Sequence, residues 1–169
     1  MKLNSRYLGA AMIAPFILFI LLGGIWLKAF TIVISVCGLY EFYKALKEKK
    51  FKPVTIVGYA LLAIFYLRGN NFEEIMYIIV LAAIILLIIP IINLKYTFID
   101  VSITLLGFLY VGVLFSFIPI VNSKIGGEYL VWLIFLGSWI ADTTAYYSGK
   151  YLGKRKICPE VSPKKTVAG

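Results

Sequence analysis

Asp142 is the residue of this sequence whose surroundings most strongly indicate chemistry. It ends an apolar run over residues 129–142, and hydroxyl-bearing and aromatic residues follow at positions 143–147. A carboxylate within a membrane segment is costly, so it is interpreted as functional by default. Ser138, Asp142 and Tyr146 are spaced four residues apart and therefore share one face of a helix. We expect that face to point into a helical bundle.

Carboxylate and hydroxyl oxygens of this kind suit Mg²⁺, which usually pairs one or two carboxylates with substrate phosphates and water. Asp142 is therefore a candidate metal ligand. The structural alternative is a buried aspartate that accepts a hydrogen bond from a hydroxyl of a neighbouring helix.

A basic segment of residues 149–169 follows the apolar run. Ser162 before Pro163 has the form of a helix N-cap with proline at the first helical position. Such a start exposes backbone N–H groups that bind phosphate, and Lys164 and Lys165 add positive charge. The alternative is a polybasic stretch that binds anionic lipid, at about 1 kcal/mol per basic residue.

The composition predicts a membrane protein, because 62% of the residues are hydrophobic and the longer apolar runs can cross a bilayer as helices. The predicted fold is all-α, a polytopic transmembrane bundle of about six spans with a short basic cytoplasmic tail. The first run is interpreted as a retained helix, not a cleaved signal peptide. The predicted domains are a bundle over 1–148 and a cytoplasmic phosphate-binding segment over 149–169. The predicted spans are 8–27, 29–43, 54–67, 75–92, 101–121 and 129–148.

The basic residues predict the orientation of these spans. With the N-terminus in the cytoplasm, 14 of the 17 lysines and arginines fall on the cytoplasmic side, and only Lys28, Arg68 and Lys124 fall outside. The positive-inside rule therefore favours a multi-pass protein of the cell membrane with both termini in the cytoplasm. The net charge of +9 is accounted for by this topology, and no aromatic-interleaved basic patch indicates nucleic acid.

Other residues that could do chemistry are few. The sequence has no histidine, which excludes histidine-based acid–base chemistry and histidine-bound metals. Cys37 and Cys158 lack a metal-ligand spacing. Glu41 and Asp100 also lie near predicted cytoplasmic ends of spans. We favour structural roles for both, since Glu41 can pair with Lys44 and Asp100 can stabilise the start of the fifth helix.

The segment from Asp142 to Thr166 resembles the first half of the catalytic region of phosphatidate cytidylyltransferases, and the weaker stretches 40–43 and 107–112 resemble upstream features of that family. The resemblance implies nucleotidyl transfer from CTP to phosphatidate at a lipid bilayer, with Mg²⁺ as cofactor. It implies that Asp142 binds Mg²⁺ or orients the lipid phosphate, and that Tyr146 contacts substrate. It also implies that the phosphates of CTP, or the phosphatidate headgroup, are held by four residues: Ser162, Lys164, Lys165 and Thr166. The residues that carry it are 141–146, Gly149, Gly153, Lys154, Pro159 and 162–166.

Two positions depart from the family pattern, because Thr144 stands where glycine is usual and Ala168 where glutamate is usual. The family's downstream signature, which includes a His-Gly-Gly element, is absent up to Gly169. We therefore expect an N-terminal portion or a truncated product that is inactive alone, with a second copy or a separate C-terminal portion as possible partner. The alternatives are a CTP-dependent lipid or polyprenol kinase, and a non-catalytic membrane subunit or remnant.

Overall fold

The computed structural model describes residues 16–69, 71–160, 162–163 and 165–169. These residues form helices and the loops between them, with one isolated antiparallel bridge near the C-terminal end. The chain divides into two compact units, Met1–Ile125 and Gly126–Gly169, called unit 1 and unit 2 below. The predicted all-α helical bundle is confirmed.

The helices of unit 1 begin with α1, Gly24–Glu48, followed by α2, Thr55–Arg68, and α3, Phe72–Ile92. A continuous helix then comprises α4, Phe98–Gly107, a π-helical segment, Phe108–Val113, and α5, Leu114–Asn122. Within the described part of the chain, Gly24–Glu48, Glu73–Ile92 and Phe98–Asn122 are long and apolar enough to cross a membrane, and α2 is a shorter apolar helix. Many large apolar side chains on these helices are exposed, which fits a surface covered by lipid. The chain is a membrane protein.

The first helix break lies at Gly23 and Gly24, not between residues 27 and 29 as the sequence predicted. Residues 16–22 are helical, and residues 8–15 of the predicted first span lie outside the described residues. Gly23 has φ 60° and Gly24 has φ 49°, a left-handed conformation that glycine adopts at little cost. The side-chain oxygen of Asn122 accepts a hydrogen bond from the Gly24 N–H at 2.8 Å. Lys28 therefore lies inside α1 and not in a loop.

Tyr43 is the central contact between α1, α2 and α4. Its side chain is almost fully buried. A β-carbon added to Gly58 would lie 2.9 Å from carbons of the Tyr43 ring, and one added to Gly107 would lie 2.6 Å from it. The two glycines thus let α2 and α4 approach the ring from different sides, as small residues do at helix interfaces in membranes.

Asp100 joins the start of α4 to the loop before α2. Thr97 and Asp100 form a capping box, in which the Asp100 carboxylate accepts hydrogen bonds from the Thr97 N–H at 2.9 Å and the Thr97 hydroxyl at 2.8 Å. Its other oxygen accepts the backbone N–H of Lys52 at 2.6 Å. One turn later, the Thr104 hydroxyl accepts the N–H of Val54 at 2.8 Å. The helix-start role predicted for Asp100 is confirmed, and the link to residues 52–54 is an addition that the sequence did not indicate.

Unit 2 contains α6, Gly127–Tyr151, and the residues that follow it. The helix covers the whole of the predicted sixth span, 129–148, and extends it at both ends. It is not among the described helices whose hydropathy suffices for a membrane span, because Ser138 and residues 142–144 interrupt its apolar sequence.

Candidate functional site

One continuous helix carries Ser138, Asp142 and Tyr146, so the predicted common face exists in α6. All three side chains are exposed, and no described residue of unit 2 covers this face. Among the described residues Asp142 makes no hydrogen bond or ion pair, so its carboxylate is available to a ligand. The orientation of this face toward the bundle stays a prediction.

Thr144, one of the two positions that the sequence analysis set apart from the family pattern, lies within the continuous helix α6. Its hydroxyl donates to the Ile140 carbonyl at 2.8 Å and lies 3.0 Å from the Ala141 carbonyl. These are the local bonds that threonine makes inside helices. The proton of the Thr144 hydroxyl is therefore used by the helix backbone.

Aromatic side chains surround the C-terminal end of α6. The rings of Tyr146 and Tyr147 are 5.4 Å apart, and the ring of Tyr147 stacks on Tyr151 at 6.1 Å. The ammonium of Lys150 lies 5.5 Å from the centre of the Tyr151 ring. Tyrosines with nearby lysines are typical of the layer where a membrane meets water.

The tail after α6 folds back on itself, and no helix begins at Ser162 in its described part. Lys156 and Thr166 form an antiparallel bridge, and the Val167 N–H donates to the Arg155 carbonyl at 2.9 Å. The Lys156 ammonium also donates to the Pro163 carbonyl. The predicted N-cap at Ser162 is therefore wrong, because backbone groups that a helix would use are paired with residues 155–157 instead.

Thr166 is the most buried of the described residues of the predicted site. Its side chain is 8% exposed, and its hydroxyl oxygen has no hydrogen-bond partner among the described residues. A β-carbon added to Gly149 would lie 3.0 Å from this oxygen, and one added to Gly153 would overlap it. The structure thus brings Thr166 against the two motif glycines that follow Asp142. A buried hydroxyl without a partner is uncommon and is suited to a ligand with hydrogen-bond acceptors.

The remaining residues of the predicted site differ in burial and in their backbone hydrogen bonds. Ser162 is half-buried, and its backbone N–H donates to the Cys158 carbonyl at 2.9 Å. Lys165 is exposed, with its N–H directed to the Ser162 carbonyl at 3.3 Å. Lys164 lies outside the described residues. Ser162, Lys165 and Thr166 therefore belong to one folded-back segment that borders the end of α6.

The sequence indicates Gly149 and Gly153 only as positions of the motif, and their structural role appears in the fold. Their spacing of four residues at the end of a helix places them on one side of the chain. Such a pair signals close approach by another segment, and Thr166 is the residue that approaches.

Among the described residues, no group of three or more Asp, Glu, His or Cys side chains is placed to hold a metal ion. Asp142 contributes one carboxylate. A Mg²⁺ ion held by one carboxylate needs phosphate or water oxygens as further ligands. The donor set thus fits a metal that arrives with a phosphate-bearing substrate better than one held by protein ligands.

Comparison with known proteins places this chain in a family. Its sequence matches that of the Cytidylyltransferase family over residues 4–169. A phosphatidate cytidylyltransferase of Bacillus subtilis (strain 168) is 34% identical over 178 aligned residues, which cover 99% of this chain and 65% of that relative. A phosphatidate cytidylyltransferase of Staphylococcus aureus (strain COL) is 37% identical over 75 residues, or 44% of this chain and 28% of that relative.

The chain thus spans just under two thirds of the length of the Bacillus relative. No solved structure matches it. Because the family match extends over nearly every residue, including Asp142 and the folded-back segment, the chain belongs to the cytidylyltransferase family.

Proposed function

We propose that this chain functions in the transfer of a cytidylyl group from CTP to phosphatidate, which gives CDP-diacylglycerol and diphosphate for phospholipid biosynthesis. The observation that carries the proposal is the family match over residues 4–169, together with relatives named phosphatidate cytidylyltransferase. The helices that can span a membrane support it further, because one substrate is a membrane lipid.

The reaction joins a lipid phosphate to a nucleotide. An oxygen of the phosphatidate phosphate attacks the α-phosphorus of CTP, and a new phosphorus–oxygen bond forms. The bond from the α-phosphorus to the oxygen that bridges to the β-phosphate breaks, and diphosphate leaves. Two anions must approach each other, so the protein must position them and neutralise their charge.

The proposed roles follow from the chemistry of unit 2. Asp142 is exposed and unpaired among the described residues, and on this proposal it binds Mg²⁺ together with substrate phosphate oxygens. When bound, the ion would neutralise phosphate charge. Lys164 and Lys165 would bind phosphate oxygens, and the hydroxyls of Ser162 and Thr166 would donate hydrogen bonds to them.

Tyr146 shares the helix face of Asp142 and would contact the substrate beside it. We propose that residues 149–169 begin a catalytic region on the cytoplasmic side, attached to a membrane bundle of residues 1–148. A second copy or a further C-terminal portion would complete the site.

We also propose six spans with both termini in the cytoplasm. The distribution of basic residues supports this topology. Lys28 lines a cavity with Gly69 and Ser123, which directly adjoin Arg68 and Lys124 in the sequence. The three basic residues assigned to the outside thus lie toward the same end of unit 1. Labelling of Cys158 only from outside intact cells would contradict this topology.

The transfer reaction is tested with CTP labelled at either the α- or the γ-phosphate. Membranes that contain the chain, alone or fused to the unmatched part of the Bacillus relative, are incubated with phosphatidate and Mg²⁺. We expect the fused protein to transfer the α-label into lipid and to release the γ-label as diphosphate. Transfer of the γ-label into lipid would instead identify a CTP-dependent kinase, and no transfer of either label by either protein would overturn the proposal.

A further inference from the structure

A second cavity lies in unit 1, and none of the residues assigned above to the transfer reaction lines it. It has a volume of about 280 Å³ and is lined by residues near the C-terminal end of α1 and the start of α2: Tyr40, Tyr43, Lys44, Lys47, Thr55 and Tyr59. All six residues belong to the unit that ends at Ile125. The cavity is therefore a property of this unit alone.

The charge at this cavity is positive. Lys44 and Lys47 are spaced three residues apart and so lie on one side of α1. Both are exposed, and neither has an ion-pair partner among the described residues. Glu41, which the sequence predicted as a partner of Lys44, is exposed, unpaired there and not part of the cavity lining. Two unpaired ammonium groups with no carboxylate among the lining residues favour an anionic ligand.

Hydroxyl groups complete the set of donors. Those of Tyr40, Thr55 and Tyr59 make no hydrogen bonds among the described residues, whereas the Tyr43 hydroxyl donates to the Thr104 carbonyl at 2.8 Å. Phosphate offers several strong acceptor oxygens, which matches two ammonium groups and three free hydroxyls.

The position of the cavity indicates where the ligand comes from. Lys47 is in the last turn of α1, and Thr55 is the first residue of α2, so the cavity lies at the ends of two apolar helices. Tyrosines and lysines at helix ends lie at the headgroup level of a bilayer. We propose that this cavity binds the phosphate headgroup of an anionic membrane lipid. The proposal uses none of the residues assigned to the transfer reaction, and its test with phosphatidylglycerol needs neither CTP nor turnover.

The test uses the full chain in mild detergent, titrated with short-chain phosphatidylglycerol and monitored by native mass spectrometry. We expect saturable binding of phosphatidylglycerol and at least about tenfold weaker binding of phosphatidylcholine, whose headgroup has no net charge. The double variant Lys44→Gln/Lys47→Gln should bind phosphatidylglycerol about 30-fold more weakly. That factor equals about 2 kcal/mol at 1.36 kcal/mol per decade, or about 1 kcal/mol for each basic residue.

The matched control is Lys49→Gln/Lys50→Gln, which removes the same charge from the loop just after α1 and outside the cavity lining. Its affinity should stay within about twofold of the parent. Equal losses in the two double variants would show diffuse attraction to a polybasic end and would overturn the proposal. Equal binding of phosphatidylcholine would overturn it as well.

A competition experiment distinguishes a lipid ligand from a soluble phosphate ligand. Glycerol 3-phosphate at the concentration that half-saturates phosphatidylglycerol should not displace the lipid, because it has no acyl chains to lie against the apolar helices. Displacement at that concentration would make the ligand a soluble phosphate and contradict the lipid assignment.

Tyr59→Phe, which removes one hydroxyl and no charge, should weaken phosphatidylglycerol binding about threefold. Unchanged binding would show that the Tyr59 hydroxyl does not contact the lipid.

Discussion

The hydroxyl of Tyr43 donates a hydrogen bond to the backbone carbonyl of Thr104, with 2.8 Å between the two oxygens. Both residues are buried. The bond joins α1 to α4 across 61 positions of the sequence. It helps to hold the tyrosine ring between Gly58 and Gly107, at the contact of α1, α2 and α4.

Removal of this hydroxyl should weaken unit 1 without changing its fold. Tyr43→Phe keeps the ring but loses one buried hydrogen bond, which is worth about 1 kcal/mol. Thermal unfolding in mild detergent should show a lower midpoint. Tyr110→Phe is the matched control, because Tyr110 is exposed and its hydroxyl makes no hydrogen bond among the described residues. An equal midpoint for both variants would show that the Tyr43 bond contributes nothing.

The close contact at Gly58 predicts a larger loss of stability than the removal of the Tyr43 hydroxyl. A methyl group there would overlap the Tyr43 ring and hydroxyl, and overpacking of a core typically costs about 1–3 kcal/mol. Gly58→Ala should therefore lower the unfolding midpoint. Gly137→Ala serves as control, since Gly137 lies in α6 with nothing within 4 Å of an added β-carbon. A midpoint for Gly58→Ala equal to that of Gly137→Ala would mean that the ring can move aside.

Most helices of this fold could be predicted from sequence, because apolar runs near 20 residues have few stable structures in lipid other than helices. The predicted span 54–67 and the observed α2, Thr55–Arg68, differ by one residue at each end. The predicted position of the first helix break was wrong, since the backbone N–H of Gly24 donates to the side-chain oxygen of Asn122, 98 residues away. No local pattern carries that information.

The candidate residues stand out in the sequence, but their arrangement in the fold does not follow from it. Asp142 stands out because a carboxylate is rare in an apolar run. The Ser162–Pro163 pair, however, indicated a helix start, whereas the backbone there pairs with residues 155–157. A local capping signal was overridden by pairing along the chain, and that pairing brings Thr166 against Gly153.

Asp100 should act in stability and not in catalysis. Its carboxylate accepts hydrogen bonds from Thr97 and from the Lys52 N–H. In Asp100→Asn, an amide N–H₂ group replaces one carboxylate oxygen, so at least one of these donors loses its acceptor. Because hydrogen bonds to charged groups are worth about 1.5–3 kcal/mol, the unfolding midpoint should fall. In the protein fused to the unmatched part of the Bacillus relative, turnover should stay near the parent value. A normal midpoint would contradict the role assigned to the link between α4 and residues 52–54.

Thr166 offers a test that separates binding from stability. Thr166→Val keeps the shape of the side chain and removes a hydroxyl that has no partner among the described residues, so unit 2 should be no less stable. If the hydroxyl binds phosphate, the KM for one of the two substrates should rise about tenfold in the protein fused to the unmatched part of the Bacillus relative, with a smaller change in kcat. Thr166→Ser, which retains the hydroxyl, should stay near the parent. Unchanged KM values for both CTP and phosphatidate in Thr166→Val would make Thr166 a structural residue.

Asp142, unlike Asp100, should affect turnover and not stability. In the protein fused to the unmatched part of the Bacillus relative, Asp142→Asn preserves size and removes the charge. The side chain is exposed and unpaired among the described residues, so the unfolding midpoint should not change. If the carboxylate binds Mg²⁺ with the substrate phosphates, turnover should fall at least about 100-fold, a barrier increase of about 2.7 kcal/mol at 1.36 kcal/mol per decade. Lys165→Ala should instead raise the KM for a phosphate-bearing substrate and leave part of kcat intact. Near-normal turnover of Asp142→Asn at every Mg²⁺ concentration would show that this carboxylate takes no part in the reaction.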